Sequence, residues 1–329
     1  MLADTFGRVA TDLRVSLTDR CNLRCSYCMP PDGLDWLPNP SLLTDDEVVR
    51  LITIAVQRLG ITEVRFTGGE PLLRRGLPAI VAATAALRPR PEISLTTNGI
   101  GLDRLAGPLH IAGLDRINVS LDTLRPATFE LLAKRNRLDD VLAGLSAAAA
   151  TGLAPVKVNA VLMRGVNDDE AVPLLRFCLS RGYRLRFIEQ MPLDAQHGWR
   201  RENMVTADEI LDALTTEVKL TPQDPGDRGS APAEEFLVDG GPERVGVIGS
   251  VTRPFCAACD RVRLTADGQV RNCLFARTEN DLRGPLRSGA SDSDLATIWR
   301  QAVLAKLPGH GINDPGFLQP ARPMSAIGG

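Results

Sequence analysis

Long hydrophobic stretches are missing from this sequence. No apolar run approaches the roughly 18 residues that a membrane-spanning helix needs. No charged segment followed by an apolar one opens the chain, so nothing predicts export. We therefore expect a cytoplasmic protein without a membrane partner.

An excess of charge of one sign is also missing. The formal net charge is −2 at pH 7, so no overall field would attract nucleic acid, and we expect no nucleic-acid partner. An anionic substrate would have to be bound by a local basic patch. Lysine is scarce as well, because nearly all basic residues are arginine and the lysines are Lys134, Lys157, Lys219 and Lys306.

Histidine is scarce too, and none of the three histidines is spaced as a zinc-finger pair. Three of the seven cysteines, Cys21, Cys25 and Cys28, fall within one octet. A zinc site or a redox dithiol would not explain a C-x3-C-x2-C triplet. Thiolates hold iron–sulfur clusters, and a cubane of four irons usually takes four of them. A triplet therefore indicates a cluster with one iron open to a reactant.

A second triplet lies far downstream, at Cys256, Cys259 and Cys273. A zinc site completed by a histidine is the alternative, but beside the first triplet a second iron–sulfur cluster is favoured. The seventh cysteine, Cys178, lies in an apolar stretch and is predicted to be a buried small hydrophobic residue. Reduced cysteines fit the cytosol.

Strand and helix patterns alternate through the first two thirds of the chain. Short β-branched runs occur at residues 13–17, 63–67, 93–97, 116–121, 156–162 and 184–189, and each is followed by a helix-like stretch. One helix should begin after Thr44, where Thr44 and Glu47 form a capping box. Such alternation predicts a parallel α/β sheet, either an open doubly wound sheet or a partial barrel.

The pattern changes near residue 219 to turns rich in proline and glycine. The segment 261–273 carries an Asp-Gly pair that predicts a β-hairpin, and residues 223–232 read as a loop or mobile segment. We therefore expect a barrel domain over residues 1–218 and a C-terminal region over residues 219–329. The first domain would carry the first cluster, and the second region would carry the second.

Unusual residues gather where the predicted strands end, which in a βα barrel is the rim that forms the active site. The cysteine octet follows the first strand and Gly68-Gly69-Glu70-Pro71 follows the second. The octet, with Tyr27 before its last cysteine, and the Gly-Gly-Glu-Pro segment together resemble the radical S-adenosylmethionine (SAM) superfamily. This resemblance implies that the open iron binds SAM, and that an electron from the cluster releases a 5′-deoxyadenosyl radical.

Within that superfamily the chain resembles the GTP 3′,8-cyclase family, of the MoaA type. The resemblance is carried by segments 6–8, 13–21, 65–71, 117–122, the second triplet with Arg261-Val262-Arg263, and the terminal Gly328-Gly329. It implies a partial (βα)6 TIM-like barrel with a C-terminal α+β extension that closes its open side. The implied reaction converts GTP to (8S)-3′,8-cyclo-7,8-dihydroguanosine 5′-triphosphate, after the radical removes the ribose 3′ hydrogen. This is the first step of molybdenum cofactor (molybdopterin) biosynthesis.

The resemblance also implies ligands and partners. Two [4Fe–4S] clusters are expected, the second holding the purine, with a reductant such as flavodoxin or ferredoxin. A following enzyme would form cyclic pyranopterin monophosphate, and a homodimer is expected. The implied SAM contacts are Tyr27, Gly69, Ser120 and Met191. The implied GTP contacts are Arg14, Arg65, Thr96, Lys157, Arg186, Arg261 and Arg263.

Two further features qualify this interpretation. The family often has a lysine where this chain has Glu63, so one supplementary phosphate contact is in question. The Gly328-Gly329 tail, which would otherwise be read as a frayed end, is expected to enter the active site and assist there. Two rival functions stay open: a radical SAM peptide maturase with an auxiliary cluster, and a non-enzymatic iron–sulfur sensor.

Overall fold

The computed structural model describes residues 1–328, without the side chains of Pro225 and Asp227. Its strands form one continuous sheet, and a short one-turn helix occupies the segment expected to be a loop. The strands are β1 Asp12–Ser16, β2 Glu63–Thr67, β3 Glu92–Thr97, β4 Arg116–Ser120, β5 Val156–Val161, β6 Arg184–Ile188, β7 Leu220–Pro222, β8 Glu234–Val238, β9 Arg244–Ile248, β10 Arg261–Leu264, β11 Gln269–Arg271 and β12 Asn280–Asp281. The helices are α1 Asp45–Leu59, α2 Leu77–Ala85, α3 Leu102–Ile111, α4 Pro126–Ala133, α5 Leu138–Ala150, α6 Ala171–Ser180, α7 Ala207–Thr215, α8 Pro225–Arg228, α9 Arg283–Arg287, α10 Asp292–Leu304 and α11 Met324–Ile327.

The first six strands are parallel neighbours in chain order, and each is joined to the next by at least one helix. This confirms the partial (βα)6 barrel and rejects an open doubly wound sheet, in which the strand order would reverse. Helix α1 begins after Thr44, whose side chain accepts from the backbone N–H of Glu47 in the predicted capping box. The 261–273 hairpin is also confirmed, with β10 and β11 antiparallel.

The C-terminal strands extend the sheet at both edges of the six-stranded core. Strand β9 pairs in parallel with β6, while β10 pairs in parallel with β1. The order of the whole sheet is β12-β11-β10-β1-β2-β3-β4-β5-β6-β9-β8-β7. The two open edges of the partial barrel are therefore both covered by strands that come from the last third of the chain.

The strands have one apolar face and one polar face, because side chains alternate across a sheet. Leu13, Val15, Val64, Phe66 and Val158 belong to the main apolar core, which includes buried residues of the surrounding helices. The alternate residues point the other way and are charged or polar. In β1, β2 and β6 these residues are Asp12, Arg14, Ser16, Glu63, Arg65, Thr67, Arg184 and Arg186. The inside of this barrel is thus a polar site rather than a packed core.

Candidate active site

A cavity of about 230 Å³ opens on the polar face of the sheet. Side chains from β1, β2, β3, β4, β5, β6 and β10 line it, and residues from the loops after β6 and β9 complete its wall. A smaller cavity beside it is lined by the second cysteine triplet and shares Phe255, Arg261 and Arg263 with the larger one. The two cavities therefore form neighbouring parts of one site.

The first triplet lies in the loop that follows β1. Burial raises the pKa of the Cys25 thiol well above its usual range, and the charges of Asp122, Cys28 and Cys21 add to this effect. Burial likewise raises the pKa of Cys28 to about 12. Three half-buried thiols that resist ionisation fit a metal cluster, because a bound cationic metal centre supplies the positive charge that stabilises their thiolates.

No group of three His, Cys, Asp or Glu side chains within residues 1–328 is arranged to hold a single metal ion. A four-iron cubane needs a wider spacing of its sulfur ligands than one ion does, so this finding bears on zinc rather than on a cluster. All seven cysteines are free thiols. The donor set of two triplets therefore suits iron–sulfur clusters better than zinc or a disulfide.

Tyr27 and Asp122 form a half-buried pair beside the first triplet. The Tyr27 hydroxyl donates to Asp122 Oδ2 at 2.6 Å, and the backbone N–H of Val161 donates to Asp122 Oδ1 at 2.8 Å. Burial raises the pKa of Asp122 to about 6, although both hydrogen bonds oppose the shift. Burial and the Asp122 charge raise the pKa of Tyr27, so the phenol stays a hydrogen-bond donor.

The Gly68-Gly69 pair packs against the backbone of the cysteine loop. The N–H of Gly69 donates to the carbonyl of Thr18 at 2.7 Å, and a Cβ on Gly69 would lie 2.3 Å from the carbonyl oxygen of Arg20. The next residue, Glu70, has its pKa raised to about 7 by burial. Glycine is required here because two backbone segments touch, and this contact fixes the cysteine loop onto β2.

Five arginines converge on the cavity: Arg14, Arg65, Arg186, Arg261 and Arg263. Burial and the neighbouring guanidiniums lower the pKa of Arg14, Arg65 and Arg263, yet a guanidinium stays charged in a protein. The nearest counter-charge is Asp12, whose Oδ2 lies 3.7 Å from Arg14 Nε and 3.7 Å from Arg65 Nη2. Asp122 and Glu189 also line the cavity, but the five arginines outnumber these carboxylates, so the site favours an anionic ligand.

Two polar amides hold Arg186 in place. Its Nη2 donates to Asn118 Oδ1 at 2.6 Å, and its Nε donates to Asn159 Oδ1 at 3.0 Å. Lys157 lies on the same face of β5 as Asn159, but it does not line the cavity. Burial, together with the charges of Arg186 and Arg116, lowers the pKa of Lys157 to about 8.

Glu63, which stands where the family often has a lysine, forms an ion pair with Arg116 of β4. Its Oε2 lies 2.8 Å from Arg116 Nη2, and Arg116 also pairs with Glu92. The Arg116 side chain is 14% exposed and is not among the residues that line the cavity. Glu63 therefore forms an ion pair with β4, at the position where the family often has a lysine.

The second triplet surrounds the start of β10. Burial acts to raise the pKa of Cys259, but the charges of Arg261 and Lys306 lower that pKa to about 7. Arg8 donates to the carbonyl of Cys256 at 2.8 Å and ties the N-terminal segment to this loop. Phe255 lies under Arg261, with the guanidinium carbon 4.6 Å from the ring centroid. These contacts place Arg8, Arg261 and Lys306 around the second triplet, whereas beside the first triplet Arg24 donates to the carbonyl of Cys21 at 2.7 Å.

The two triplets lie at opposite ends of neighbouring parallel strands. Asp12, at the start of β1, pairs with Arg261, at the start of β10. Cys259 therefore lies near the amino end of β1, whereas Cys21 follows the carboxyl end of the same strand. Five residues of strand separate the two ends, which corresponds to about 15 Å at roughly 3.3 Å per residue. The arginine-lined cavity lies between them.

The C-terminal tail enters this space. The carbonyl of Gly328 accepts a hydrogen bond from Arg263 Nη1, and a Cβ on Gly328 would lie 2.8 Å from Thr67 Cγ2. Ser325 is buried and interacts with Cys28. Gly329, the other tail residue assigned from the sequence, lies outside the described residues.

Most of the residues assigned from the sequence meet at this cavity. Those that line it are Tyr27, Ser120, Met191, Arg14, Arg65, Thr96, Arg186, Arg261 and Arg263. Gly69 and Lys157 do not line it: Gly69 packs on the cysteine loop, and Lys157 lies on the inner face of β5 outside the cavity lining. Cys178 is fully buried in the main core, as expected from its apolar surroundings.

The sequence analysis missed several residues of the site. Asp12 and Asn159 each lie two positions from an assigned residue on the same strand, so period-two alternation could have identified them. Asp122 also lines the cavity; it lies in segment 117–122, which carries the resemblance, but it was given no role there, and its hydrogen bond from Tyr27 shows its place in the site. Lys306 carried no sequence signal beyond the scarcity of lysine.

Comparison with known proteins identifies the family. Residues 15–178 match the model of the radical SAM superfamily, and residues 183–312 match the model named Molybdenum Cofactor Synthesis C. A GTP 3′,8-cyclase of Streptomyces coelicolor is 68% identical over 329 residues, covering 100% of this chain and 96% of the relative. The chain belongs to the GTP 3′,8-cyclase family. A GTP 3′,8-cyclase 2 of Mycobacterium tuberculosis is 64% identical over 332 residues, and the match covers 100% of this chain and 92% of that relative.

Solved structures of more distant proteins share the fold. Streptococcus suis SuiB bound to its precursor peptide SuiA has a TM-score of 0.62 at 15% identity, over 91% of this chain and 68% of that chain. SuiB bound to S-adenosylmethionine has a TM-score of 0.59 at 14% identity, over 93% of this chain and 68% of that chain. The radical SAM type of barrel predicted from the sequence is confirmed. SAM and an iron–sulfur cluster are accordingly the cofactors of this GTP 3′,8-cyclase family member.

None of the helices within residues 1–328 is long and apolar enough to cross a membrane.

Proposed function

We propose that this enzyme converts GTP to (8S)-3′,8-cyclo-7,8-dihydroguanosine 5′-triphosphate, the first step of molybdenum cofactor biosynthesis. The observation that carries the proposal is a cavity with five arginines on its wall, placed between two cysteine triplets. A triphosphate needs several cations, and arginine forks bind phosphate oxygens in pairs. The family membership and the site thus favour the same substrate.

Each triplet is proposed to hold one [4Fe–4S] cluster. Cys21, Cys25 and Cys28 would hold the first, and Cys256, Cys259 and Cys273 the second. When bound, the first cluster and SAM supply the 5′-deoxyadenosyl radical that removes the ribose 3′ hydrogen of GTP. The packing of Gly69 and Glu70 against the cysteine loop fixes that triplet relative to the cavity.

The chain's own residues would hold SAM and GTP side by side along the barrel. Tyr27, Ser120 and Met191 lie on the cavity wall and are proposed to contact SAM near the first triplet. Gly69 would contribute through its carbonyl, because its N–H is engaged by Thr18. Proximity of this kind lowers the barrier by fixing the donor and acceptor carbons in a reactive arrangement.

GTP is proposed to occupy the part of the cavity nearer the second triplet. Arg14, Arg65, Arg186, Arg261 and Arg263 would neutralise its phosphates, with Thr96 as a polar contact and Lys157 as an outer cation. The second cluster is proposed to hold the purine. The Gly328-Gly329 tail would exclude water and assist turnover, and its contact with Arg263 supports this role.

The wider setting is proposed from the sequence and from the family. The chain would divide into a barrel domain of residues 1–218 and a C-terminal region of residues 219–329, and it would act as a cytoplasmic homodimer. A reductant such as flavodoxin or ferredoxin would supply electrons. The next enzyme of the pathway would convert the cyclic nucleotide to cyclic pyranopterin monophosphate.

One anaerobic assay tests the function. Reconstituted protein is incubated with GTP, SAM and dithionite, and the products are separated and identified by mass spectrometry. Formation of 5′-deoxyadenosine together with the cyclised triphosphate is expected. SAM cleavage without any nucleotide product would overturn the proposal and favour a peptide maturase, while absence of SAM cleavage would favour a sensor.

Iron content tests the two clusters. The reconstituted protein should hold about eight irons per chain, and Cys256→Ser about half as many. That variant should cleave SAM but form no cyclised nucleotide. Cys178→Ser is the matched control, because Cys178 is fully buried in the core and belongs to neither triplet, and this variant should keep the full iron content. Full product formation by Cys256→Ser would reject the second cluster.

A further inference from the structure

Lys306, two residues beyond the end of α10, is a buried ammonium directed at the second triplet. Its residue is 5% exposed. Its Nζ lies 3.4 Å from Cys259 Sγ, 3.1 Å from the Cys259 carbonyl and 3.0 Å from the Arg261 carbonyl. An ammonium has three N–H donors. Each of them therefore has one acceptor, and one of the three acceptors is a sulfur.

This ammonium has no carboxylate partner. Within residues 1–328 no Asp or Glu lies within ion-pair distance of Lys306. Arg8, which holds the same region through the carbonyls of Cys256 and Leu307, differs in this respect, because Asp4 lies 2.5 Å from its Nε. A buried cation without a counter-charge is costly. The anion that the geometry offers to Lys306 is the thiolate of Cys259.

The first triplet has no equivalent contact. Cys21 Sγ accepts from the backbone N–H of Leu23 at 3.4 Å and from Asn98 Nδ2 at 3.8 Å, both of which are neutral donors. In the part of the chain that the structure describes, no lysine or arginine donates to a sulfur of Cys21, Cys25 or Cys28. A charged hydrogen bond to sulfur thus distinguishes the second triplet from the first.

We propose that Lys306 is a positioning residue that raises the reduction potential of the cluster held by the second triplet. Net charge and hydrogen bonds to the sulfurs are among the factors that set the potential of an iron–sulfur cluster. A fixed positive charge at Cys259 stabilises the reduced form, which carries one more negative charge than the oxidised form. The inference rests on the proposed second cluster.

Redox titration of the reconstituted enzyme, followed by electron paramagnetic resonance, tests this role. Lys306→Met should shift the midpoint potential of the second cluster to a more negative value and leave that of the first unchanged. Lys306→Arg, which keeps the charge, should stay closer to the wild type. Lys219→Met, which changes an exposed lysine, should alter neither potential. An unchanged second potential in Lys306→Met with full iron content would overturn the proposal.

A second measurement on the wild-type sequence does not depend on the folding of a variant. The chain has only four lysines, so ¹⁵N-lysine labels few sites. Electron–nuclear double resonance on the reduced, labelled enzyme should detect a ¹⁵N coupling that is absent from the unlabelled enzyme. A cluster signal without that coupling would reject the proposal. A wild-type protein with only about four irons would instead reject the second cluster itself.

Discussion

The guanidinium of Arg263 donates a hydrogen bond to the carbonyl of Gly328, which places Gly328 inside the barrel. Arg263 projects from the middle of β10, and the same cavity wall carries the other arginines. The tail therefore contacts a residue assigned to GTP, while Ser325 just before it interacts with Cys28. The last residues of the chain join the two halves of the site.

Deleting Gly328 and Gly329 should abolish most GTP cyclisation while leaving the fold and the iron content intact. Terminal residues seldom contribute much to the core, but a misplaced contact in an active site can lower turnover by about 100-fold. Product formation, iron content and SAM binding of the truncated protein are measured side by side. Turnover equal to the wild type would show that the tail is a frayed end with no role in the reaction.

Two glycine variants separate crowding from backbone strain in the tail. Gly328 has φ of +86° and its added Cβ would press on Thr67, whereas Gly289 has φ of +84° and open space around it. Gly328→Ala should therefore lower product formation, and Gly289→Ala, with similar backbone strain, should not. An equal loss of product formation in both variants would show that backbone strain alone causes the effect.

Replacing Arg65 or Arg186 by Ala should weaken GTP binding by roughly 1.5–3 kcal/mol, the range for hydrogen bonds to charged groups. Both side chains are buried and line the cavity. SAM and guanosine should bind nearly as before, because neither depends on the phosphate contacts. Calorimetric titration of the three ligands gives the test, with Arg176→Ala at an exposed ion pair as the control. An equal loss for guanosine would mean that these arginines do not contact phosphate.

Asp12→Asn should destabilise the nucleotide-free protein and strengthen its response to GTP. Burial opposes ionisation, yet the charges of Arg65 and Arg14 lower the pKa of Asp12, so the carboxylate is a true counter-charge. Breaking a buried pair costs roughly 3–5 kcal/mol, and amide replacement should approach the low end of that range. Without this carboxylate the arginines repel one another more strongly and attract an anion more strongly.

Thermal unfolding with and without GTP checks the Asp12 prediction. The variant should melt at a lower temperature than the wild type when free, and its melting temperature should rise more on GTP addition. Asp140→Asn, at an exposed pair with Arg137, should change neither quantity appreciably. A smaller GTP-induced rise would show that Asp12 assists binding instead of balancing charge.

At alkaline pH, Lys157 should take up a proton when GTP binds. Its pKa of about 8 in the free protein means that the amine is largely neutral above that pH. The phosphates favour the ammonium form and raise this pKa on binding, so affinity should fall as the pH rises above about 8. Below that value the lysine is charged in both states and contributes no pH dependence.

Calorimetry near pH 8.5 in two buffers of different ionisation enthalpy measures the uptake. The wild type should take up most of one proton per GTP, and Lys157→Met should take up much less. Uptake unchanged in that variant would assign the proton to another group and contradict the prediction.

The sequence predicted the first six strands, their parallel order and most of the residues that line the cavity, because each of these depends on local pattern. Period-two alternation marks Arg65 and Arg186 as residues of one face, and the cysteine spacing identifies the loop after β1. The pairing of β10 with β1 could not be predicted in this way, since it joins segments about 250 residues apart. For the same reason the contacts of Lys306 with Cys259 and of Asp122 with Tyr27 appear only in the folded chain.

The pairing of both sheet edges with late strands has a consequence for synthesis of the chain. Strands β1 and β6 are complete by Ile188, but their outer partners end at Leu264 and Ile248. A nascent barrel therefore has two unpaired edges until most of the polypeptide has left the ribosome, and open edges template aggregation. A truncation before β9 would leave both edges permanently exposed. The C-terminal region thus protects the growing chain from aggregation, in addition to supplying three cysteines.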